Sequence, residues 1–487
     1  MVLILSNLTF TEQDDIVPAS GVEEIFNNRI ANTLAGNDII TGTGFSAGIW
    51  NSYGGTIDTG SGNDIITGTG GNWGYINYGG ALNTSDGNDT ITGISTASNN
   101  GNGLDNSGPM NTGDGDDIIT GISHAIYSTS EGSGLKNSLN GFGLDSGNGN
   151  DIITGISNNN GIDNYTSTLN TGNGDDSIIA DGGFNGIDNY SATINTGNGD
   201  DSIIADGNNA PDVNSFYTGY GIANRGTIDS GNGNDTITGS GDVGIFNGGF
   251  ALGGTFEGTI DTGDGEDVIT GSGITSGIKN QGIINTGIDD DSIISQGNLI
   301  NSGGIFLGEG NDSIIANADL SNRALENFNA IETGDGNDAI TSTGVIYNEG
   351  VINTGNGNDS IIVEETDTTY GIYNNGGAIN MGDGNDSIIA NEGFESAANS
   401  SGAWFLGEGN DYIKGYGSGD FYGGNGFDTL ELTPGTYTVG IWGEGGESPI
   451  FTKGDQLMIT SEFEKLKAGS TIYNFASLTA GQIIVVA

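Results

Sequence analysis

The sequence predicts an all-β fold, a parallel β-helix solenoid of about sixteen coils with a cap at each end. Three observations predict it. A glycine-rich acidic loop recurs along the chain, and two of its copies, NTGNGDDSIIADG at 170–182 and 195–207, are identical. Two apolar positions keep fixed distances from each loop, and a short motif ending in Asn comes before it. A period near 25 residues is typical of solenoids, in which each repeat buries its apolar face only against its neighbours.

The loops align on the aspartate that closes each copy. Successive copies lie 17 to 34 residues apart, and their glycines fit tight corners in which φ is positive. Three copies depart from the pattern: the first is truncated to TLAGND (33–38), the third has Ser85 in place of a loop glycine, and the tenth contains Asp289. We expect metal sites to be weakest at these three. The sixteen closing aspartates are Asp38, Asp64, Asp89, Asp117, Asp151, Asp176, Asp201, Asp235, Asp267, Asp291, Asp312, Asp338, Asp359, Asp386, Asp411 and Asp428.

Apolar residues at fixed distances from these aspartates predict the strands. Ile follows each of them by two positions, as in Ile40 and Ile178, with Leu430 as the one variant. A large apolar residue precedes each by seven positions, as in Ile57, except for Ala31 in the first copy. β-Branched residues at positions fixed relative to a turn indicate short strands.

A third element, seen in GIWN (48–51), GIDN (161–164 and 186–189) and GIAN (221–224), lies at a variable distance from the loop. Asn side chains stacked at an inward corner can form amide ladders along the axis of a solenoid. The sequence therefore predicts a three-sided coil with two tightly specified sides and one side that tolerates insertions.

The composition changes after Asp428, and this change suggests domain boundaries. We expect an N-terminal cap at 1–21, the solenoid at 22–432, and a C-terminal cap at 433–487. The last segment alternates apolar and polar residues and contains EFEKL and a final IIVVA. Such alternation predicts strands that cover the open end of a solenoid.

Charge excludes several functions. The 487 residues include 9 Lys and Arg against 63 Asp and Glu, a formal charge of -54, so the chain cannot neutralise the phosphates of nucleic acid. Such acidity is also typical of disorder, but the regular Ile spacing argues for a fold.

Cys is absent, which excludes disulfides. We expect no membrane insertion, because no window reaches a spanning length.

The acidic loops predict calcium binding. Stacked coils would place carboxylates about one strand spacing apart, where they repel by roughly 1 kcal/mol even in bulk water. Carboxylate and carbonyl oxygens are hard ligands that suit Ca²⁺, whereas Mg²⁺ sheds water reluctantly. An EF-hand counted from Asp58 fails, because Asn63 and Thr69 occupy the positions that need Gly and Glu. The alternative is that Asp and Asn merely make good turns.

The loop TGNGDDSII resembles the repeats-in-toxin nonapeptide G-G-x-G-x-D-x-U-x over roughly Leu34–Leu432, most closely in YGSGDFYGGNGFDTLEL (416–432). The resemblance implies a right-handed parallel β-roll with calcium between successive loops. It also implies that the sixteen closing aspartates supply the carboxylate ligands. The chain departs from the family in carrying mostly one loop per coil, which predicts a single row of ions.

The C-terminal segment resembles those of proteins exported by type I secretion, and the N-terminus MVLILSNLTFTEQDD lacks the cationic start of a signal peptide. These resemblances imply an extracellular or cell-surface protein exported without an N-terminal signal. In the calcium-poor cytosol the chain would stay unfolded, and calcium outside the cell would drive its folding.

The expected function is structural: a secreted rod of a cell surface, matrix, fibre or adhesin, whose partners are calcium and either a cell-surface glycan or its own copies end to end. We expect no enzyme, because one His and nine cations leave few groups for catalysis. Two alternatives remain open, a carbohydrate-active β-helix enzyme and an ice-binding solenoid. The row Thr59, Thr171, Thr196, Thr262 and Thr354 is the candidate ice-binding array, although Met381 and Leu406 interrupt it and we expect no activity.

Overall fold

The computed structural model describes residues 2–18, 23–96, 101–125, 132–138, 143–207, 218–251, 254–256, 258–317, 323–364, 370–396, 402–443 and 448–487. The chain divides into two compact units, Met1–Gly273 and Ile274–Ala487. Both are built almost entirely from short parallel strands in register. The predicted all-β parallel solenoid is therefore confirmed.

Each coil of the first unit has three sides. Side A begins directly after the loop aspartate, side B carries the Asn motif, and side C leads into the next loop. Side A comprises Ile16–Val17, Ile39–Thr43, Ile65–Gly70, Thr90–Ser95, Ile118–Ser123, Ile152–Ser157, Ser177–Gly182, Ser202–Gly207 and the beginnings of Thr236–Asn247 and Val268–Asn280. Side B comprises Val2–Ile4, Glu24–Asn27, Ala47–Asn51, Trp73–Asn77, Asn102–Asn106, Leu135–Ser138, Ile162–Tyr165, the beginnings of Asn185–Asn195 and Tyr220–Asp229, and the end of Thr236–Asn247. Side C comprises Ile30–Asn32, Thr56–Asp58, Ala81–Asn83, Met110–Asn111, Leu144–Asp145, Thr168–Asn170, Thr259–Asp261 and the ends of Asn185–Asn195 and Tyr220–Asp229.

Two small elements of the first unit lie outside this pattern. A 3-10 turn, Leu5–Asn7, follows the first strand and buries Leu5. An antiparallel pair, Gly249–Ala251 and Gly254–Phe256, follows side B of a later coil.

The second unit repeats the three-sided coil. Its side A comprises Ser292–Gln296, Ser313–Asn317, Ala339–Ser342, Ser360–Val363, Ser387–Ala390, Tyr412–Lys414, Thr429–Leu432 and Lys465–Ala468. Side B comprises the end of Val268–Asn280, Leu299–Asn301, Arg323–Asn327, Val345–Asn348, Ile372–Asn374 and Phe394–Glu395. Side C comprises Ile283–Asn285, Gly304–Glu309, Ala330–Asp335, Val351–Asn353, Ala378–Asn380, Ala403–Phe405, Gly419–Tyr422 and Gln456–Ser461, and the short strands Glu408–Gly409 and Asn425–Gly426 pair within the loops.

The end of the chain changes to antiparallel pairing. Ser448–Lys453 pairs with both Gly435–Trp442 and Gln456–Ser461, and the last strand, Ile483–Val486, pairs with Gly435–Trp442. Thr471–Asn474 pairs with Lys465–Ala468 and leads into the 3-10 turn Phe475–Ser477. The boundaries proposed for the caps, at 21 and 433, stay predictions.

Both predicted apolar columns lie in the core. The isoleucines that follow the loops, such as Ile40 and Ile178, are fully buried, and so are the residues that precede them, such as Ile57. Even Ala31, the small exception, is buried. The residues alternate in and out along side A, as the two-residue period of a strand requires.

In the coils where both sides carry glycine, sides A and B approach each other so closely that a larger residue would clash. A Cβ atom on Gly93 of side A would overlap the backbone oxygen of Gly103 on side B, and Gly68 stands in the same relation to Gly74. This glycine contact ties the outer surface of side A to a second sheet directly behind it.

The predicted amide ladder exists. In the first unit the side chain of each inward Asn donates through Nδ2 to Oδ1 of the next, as from Asn164 to Asn189 (2.9 Å) and from Asn189 to Asn224 (2.8 Å). In the second unit the same ladder runs through Asn280, Asn301 and Asn327. All of these amides are buried, and a buried polar group needs such partners because leaving it unpaired is costly.

Candidate metal-binding edge

Two loop glycines shape the acidic edge of each coil. In the loop of Asp176, Gly172 and Gly174 have φ of +98° and +136°, values that residues with a side chain rarely adopt. The loop backbone also pairs with the next loop, since the Gly174 amide donates to the Asn198 carbonyl oxygen (2.8 Å). This backbone pairing therefore fixes the position of each loop relative to the next one.

The three loops that depart from the pattern keep this conformation. Leu34, Ser85 and Asp289 adopt φ of +80°, +65° and +83° where other copies have glycine. In the first two of these loops the closing aspartate stays in place: Oδ1 of Asp38 accepts from the Asp15 amide, and Oδ1 of Asp89 accepts from the Asp64 amide. The expectation that metal sites are weakest at these loops stays a prediction.

The closing aspartates form a column, called here the Asp column. In the first unit Oδ1 of each carboxylate accepts a hydrogen bond from the backbone N–H of the preceding aspartate, at 2.7 to 2.8 Å from Asp38 to Asp267. In the second unit the same bonds run from Asp291 to Asp428 at 2.8 to 2.9 Å. The last of these amides, at Asp428, donates to Glu464, which continues the pattern beyond the final loop.

At fourteen aspartates of the column the second carboxylate oxygen is buried and accepts no hydrogen bond. At Asp176 the nearby Thr171 hydroxyl gives its hydrogen to the Thr196 carbonyl oxygen instead (3.1 Å). The aspartates with such an Oδ2 atom are Asp38, Asp64, Asp89, Asp117, Asp151, Asp176, Asp201, Asp235, Asp312, Asp338, Asp359, Asp386, Asp411 and Asp428. An ionised carboxylate held in this way is costly unless a cation or a proton compensates it.

Burial raises the pKa of these carboxyls. It brings the pKa of Asp176 to about 7, and the negative charges of Asp201 and Asp175 add to the effect. The pKa of Asp312 is likewise raised to about 7, first by burial and then by Asp338 and Asp291. The column therefore has a strong affinity for positive charge, whether a proton or a metal ion supplies it.

A second row of polar side chains runs through the loops and was not predicted from the sequence. The residue before each closing aspartate is exposed, and its side-chain oxygen caps the amide of the same residue in the following coil, as Asn150 does for Asp175 (3.0 Å) and Asp175 for Asp200 (3.1 Å). The sequence contains the pattern that could have predicted this row, because Asn, Asp or Glu precedes every closing aspartate except Asp428, which follows Phe427.

The donors of this edge suit calcium. The column offers an orphaned carboxylate oxygen in coil after coil, and the surrounding polar atoms are carboxylate, amide and backbone oxygens, which Ca²⁺ prefers. Within the described residues no three His, Cys, Asp or Glu side chains converge on one point. A calcium ion here would therefore need backbone carbonyl oxygens and water in addition to the carboxylates of the Asp column.

The threonine row considered for ice binding is inside the protein. Thr59, Thr171, Thr196, Thr262 and Thr354 are all buried. Thr196, for example, donates its hydroxyl hydrogen to the Ser230 carbonyl oxygen (3.2 Å). That candidate array is wrong, because the tight turn between the two loop glycines directs this side chain into the core.

A different surface is regular and faces solvent. On five consecutive strands of side A the outward residues are only isoleucine and threonine, and their register is unbroken. We call this surface the Ile/Thr face. Its residues are Ile39, Thr41, Thr43, Ile65, Thr67, Thr69, Thr90, Thr92, Ile94, Ile118, Thr120, Ile122, Ile152, Thr154 and Ile156.

The chain has few recognisable relatives among known proteins. No protein-family model and no curated protein matches the chain. Among solved structures it is similar to a hyperactive, Ca²⁺-dependent, β-helical antifreeze protein from an Antarctic bacterium, determined by X-ray crystallography, with 15% identity over 96% of each chain and a TM-score of 0.31. A TM-score of this size does not establish a shared fold, and the resemblance to the repeats-in-toxin family stays a prediction. Among the described residues no helix is long and apolar enough to cross a membrane.

Proposed function

We propose that this protein is a calcium-binding structural β-solenoid of the repeats-in-toxin type, in which calcium ions along the Asp column hold successive coils together. One observation carries the proposal: a buried carboxylate oxygen without a hydrogen-bond partner recurs in coil after coil. A feature needed only for turns would not require this burial, since Asp and Asn form turns on exposed surfaces.

Calcium would supply positive charge between carboxylates that otherwise repel. The chain itself does the rest: Oδ1 of each aspartate is fixed by the neighbouring amide, which leaves the buried Oδ2 available to a cation. The loop glycines keep the backbone tight enough for successive loops to pair. Eight ions between the nine loops of the first unit and six between the seven loops of the second would reduce the formal charge of -54 to about -26, which still favours solubility.

The proposal extends to a secreted protein of a cell surface or matrix, exported by a type I route and folded by calcium outside the cell. Its support is the charge of -54, which opposes folding without cations, and the secretion-like C-terminal segment. A cell-surface glycan or further copies of the chain are the proposed partners. Imaging the protein by negative stain with and without calcium tests for fibres.

Circular dichroism tests the coupling between calcium and folding. We expect the β-sheet signal to appear when calcium is added to the chelated protein and to be lost again with excess chelator. Magnesium at the same concentration is the control and should restore less, because its octahedral geometry is stricter. An equal β content with chelator and with calcium would refute the coupling.

We propose that the protein is not an enzyme. Its aspartates repeat with the coil, as structural ligands do, whereas catalysis needs a local exception. A screen for turnover of plant and algal glycans tests this, and hydrolysis that disappears on substitution of a single carboxylate would show a carbohydrate-active enzyme.

Ice binding is a second candidate function, because the Ile/Thr face meets its physical requirement. Binding to a crystal surface needs a regular and rigid array of groups, and this face repeats on five strands without a break in register. Retention of the protein on a slowly growing ice surface tests the function as such.

A further inference from the structure

We propose that the Ile/Thr face is a binding site for crystalline water, and that the site ends at the coil of Asp181. This inference rests on the second proposed function, ice binding, and assigns it to one surface of the first unit. It replaces the buried threonine row with residues that reach solvent.

The register of the face makes it a lattice. Thr41, Thr67, Thr92, Thr120 and Thr154 occupy one straight column, each paired with the next across parallel strands. Neighbouring strands are about 4.8 Å apart, and alternate residues of one strand about 6.6 Å apart. Fifteen side chains thus repeat on a two-dimensional grid.

The face is also stiff. Isoleucine and threonine are β-branched, so χ1 is restricted and the methyl and hydroxyl groups keep fixed directions. Behind the face, the glycine contact between Gly93 and Gly103 leaves no room for the sheet to move inward. A rigid array needs little reorganisation when it meets a rigid partner.

The chemistry of the face suits ordered water. Methyl groups restrict the orientation of the water molecules beside them, and hydroxyl groups can donate to and accept from those molecules. None of the fifteen positions carries a charge, in a chain with a net charge of -54. Isoleucines of the outer columns are accessible: Ile65 and Ile118 are both 41% exposed, and Ile152 and Ile156 both 39%.

The size of the face favours a crystal over a protein partner. The grid measures about 19 Å by 13 Å, from four strand intervals and four residue rises. A stable protein interface needs about 800 Å² on each partner, roughly three times this area. Anionic and cationic surfaces are disfavoured as well, because the face offers them no opposite charge.

The boundary of the site follows from the next two coils. Ile156 is paired with Asp181, and Asp181 with Asp206, so the third column becomes acidic. An ionised carboxylate keeps its own hydration shell and disrupts a crystalline one. Thr238 lies in the threonine column beyond these aspartates, separated from Thr154 by Ile179 and Ile204.

The test compares two identical substitutions in that column. Thr120→Asp places a charge in the middle of the face, whereas Thr238→Asp places it outside. With calcium present, and with circular dichroism showing that both variants are folded, we expect Thr120→Asp to lower the partition of the protein into ice by at least about tenfold, because the ice would have to desolvate the carboxylate. Thr238→Asp should leave the partition unchanged.

A gain of function makes the proposal independent of any folding defect. The double variant Asp181→Thr, Asp206→Thr lengthens the uncharged face and should increase both ice partition and thermal hysteresis. If the unaltered protein enters ice but neither Thr120→Asp nor the double variant changes its partition, the assigned site is wrong while ice binding stands. If the unaltered protein does not enter ice, ice binding itself is refuted.

Discussion

At the scale of the residue, the buried loop aspartate distinguishes this chain from a simple repeat of turns. Asp176 is almost fully buried, yet only one of its two carboxylate oxygens has a partner. Its neighbour Asp175 is exposed and caps the amide of Asp200. Two adjacent aspartates thus have different surroundings: one carries the buried oxygen that we propose as a metal ligand, and the other caps an amide of the loop backbone.

Substitution of these two residues separates the tasks. Asp176→Asn removes the charge but preserves the shape of the side chain, so we expect calcium-loaded protein to bind one or two fewer ions, measured by equilibrium dialysis with elemental analysis. Asp175→Asn is the matched control and should keep the full number, since Asn150 occupies the same position in the preceding coil. Equal ion counts in the two variants would exclude Asp176 as a ligand.

At the scale of the element, columns of like residues stabilise the stack. The Asn ladder of side B is buried, and each amide bridges two coils. The Asp column does the same through backbone amides, but it brings carboxyls with raised pKa values into a row. The Asn ladder is neutral, so its contribution to stability is permanent. The Asp column needs a metal ion or a proton, so its contribution is conditional on calcium and pH.

The permanent part is tested at Asn189. Asn189→Ala should lower the free energy of unfolding by about 1–3 kcal/mol, because the Nδ2 atom of Asn164 loses an acceptor and the Thr227 carbonyl oxygen loses a donor. Asn198→Ala removes an exposed loop amide, which donates to Oδ1 of Asn173, and should cost less than about 1 kcal/mol. Denaturant titration in calcium measures both, and equal losses would show that the buried ladder has no special weight.

The conditional part gives a pH dependence with a defined sign. Burial raises the pKa of Asp151 and Asp176 to about 7, above the ordinary value of 3.8, so the folded protein binds more protons than the unfolded chain between these values. Its stability without calcium must therefore fall as pH rises from about 4 to 7.

Thermal melts in chelator at pH 5 and pH 8 check this dependence. We expect a melting transition at pH 5, where protons occupy the column, and little or none at pH 8, where the chelated chain is unfolded. In saturating calcium the difference should shrink or reverse, because calcium replaces the protons of the column. A chelated protein that melts higher at pH 8 than at pH 5 would contradict the raised pKa values.

At the scale of the whole molecule, the repeat made most of the fold predictable. Ile40 and Ile57 mark the core by their spacing, and the Asn of GIDN marks the ladder, because a solenoid places equivalent residues above one another. Spacing alone did not show which threonines face solvent. Thr171 and Thr154 both recur with the coil, but a tight glycine turn directs the first inward, whereas strand alternation directs the second outward. The alternation along IITG could have revealed this face.

Crystals grown in calcium offer the most direct test of the central claim, that metal ions lie along the Asp column. An anomalous difference map should show a row of peaks at about 2.3–2.6 Å from the free Oδ2 atoms of aspartates such as Asp176 and Asp201. A map that shows the coils intact, these oxygens ordered and no peak beside them would contradict the account.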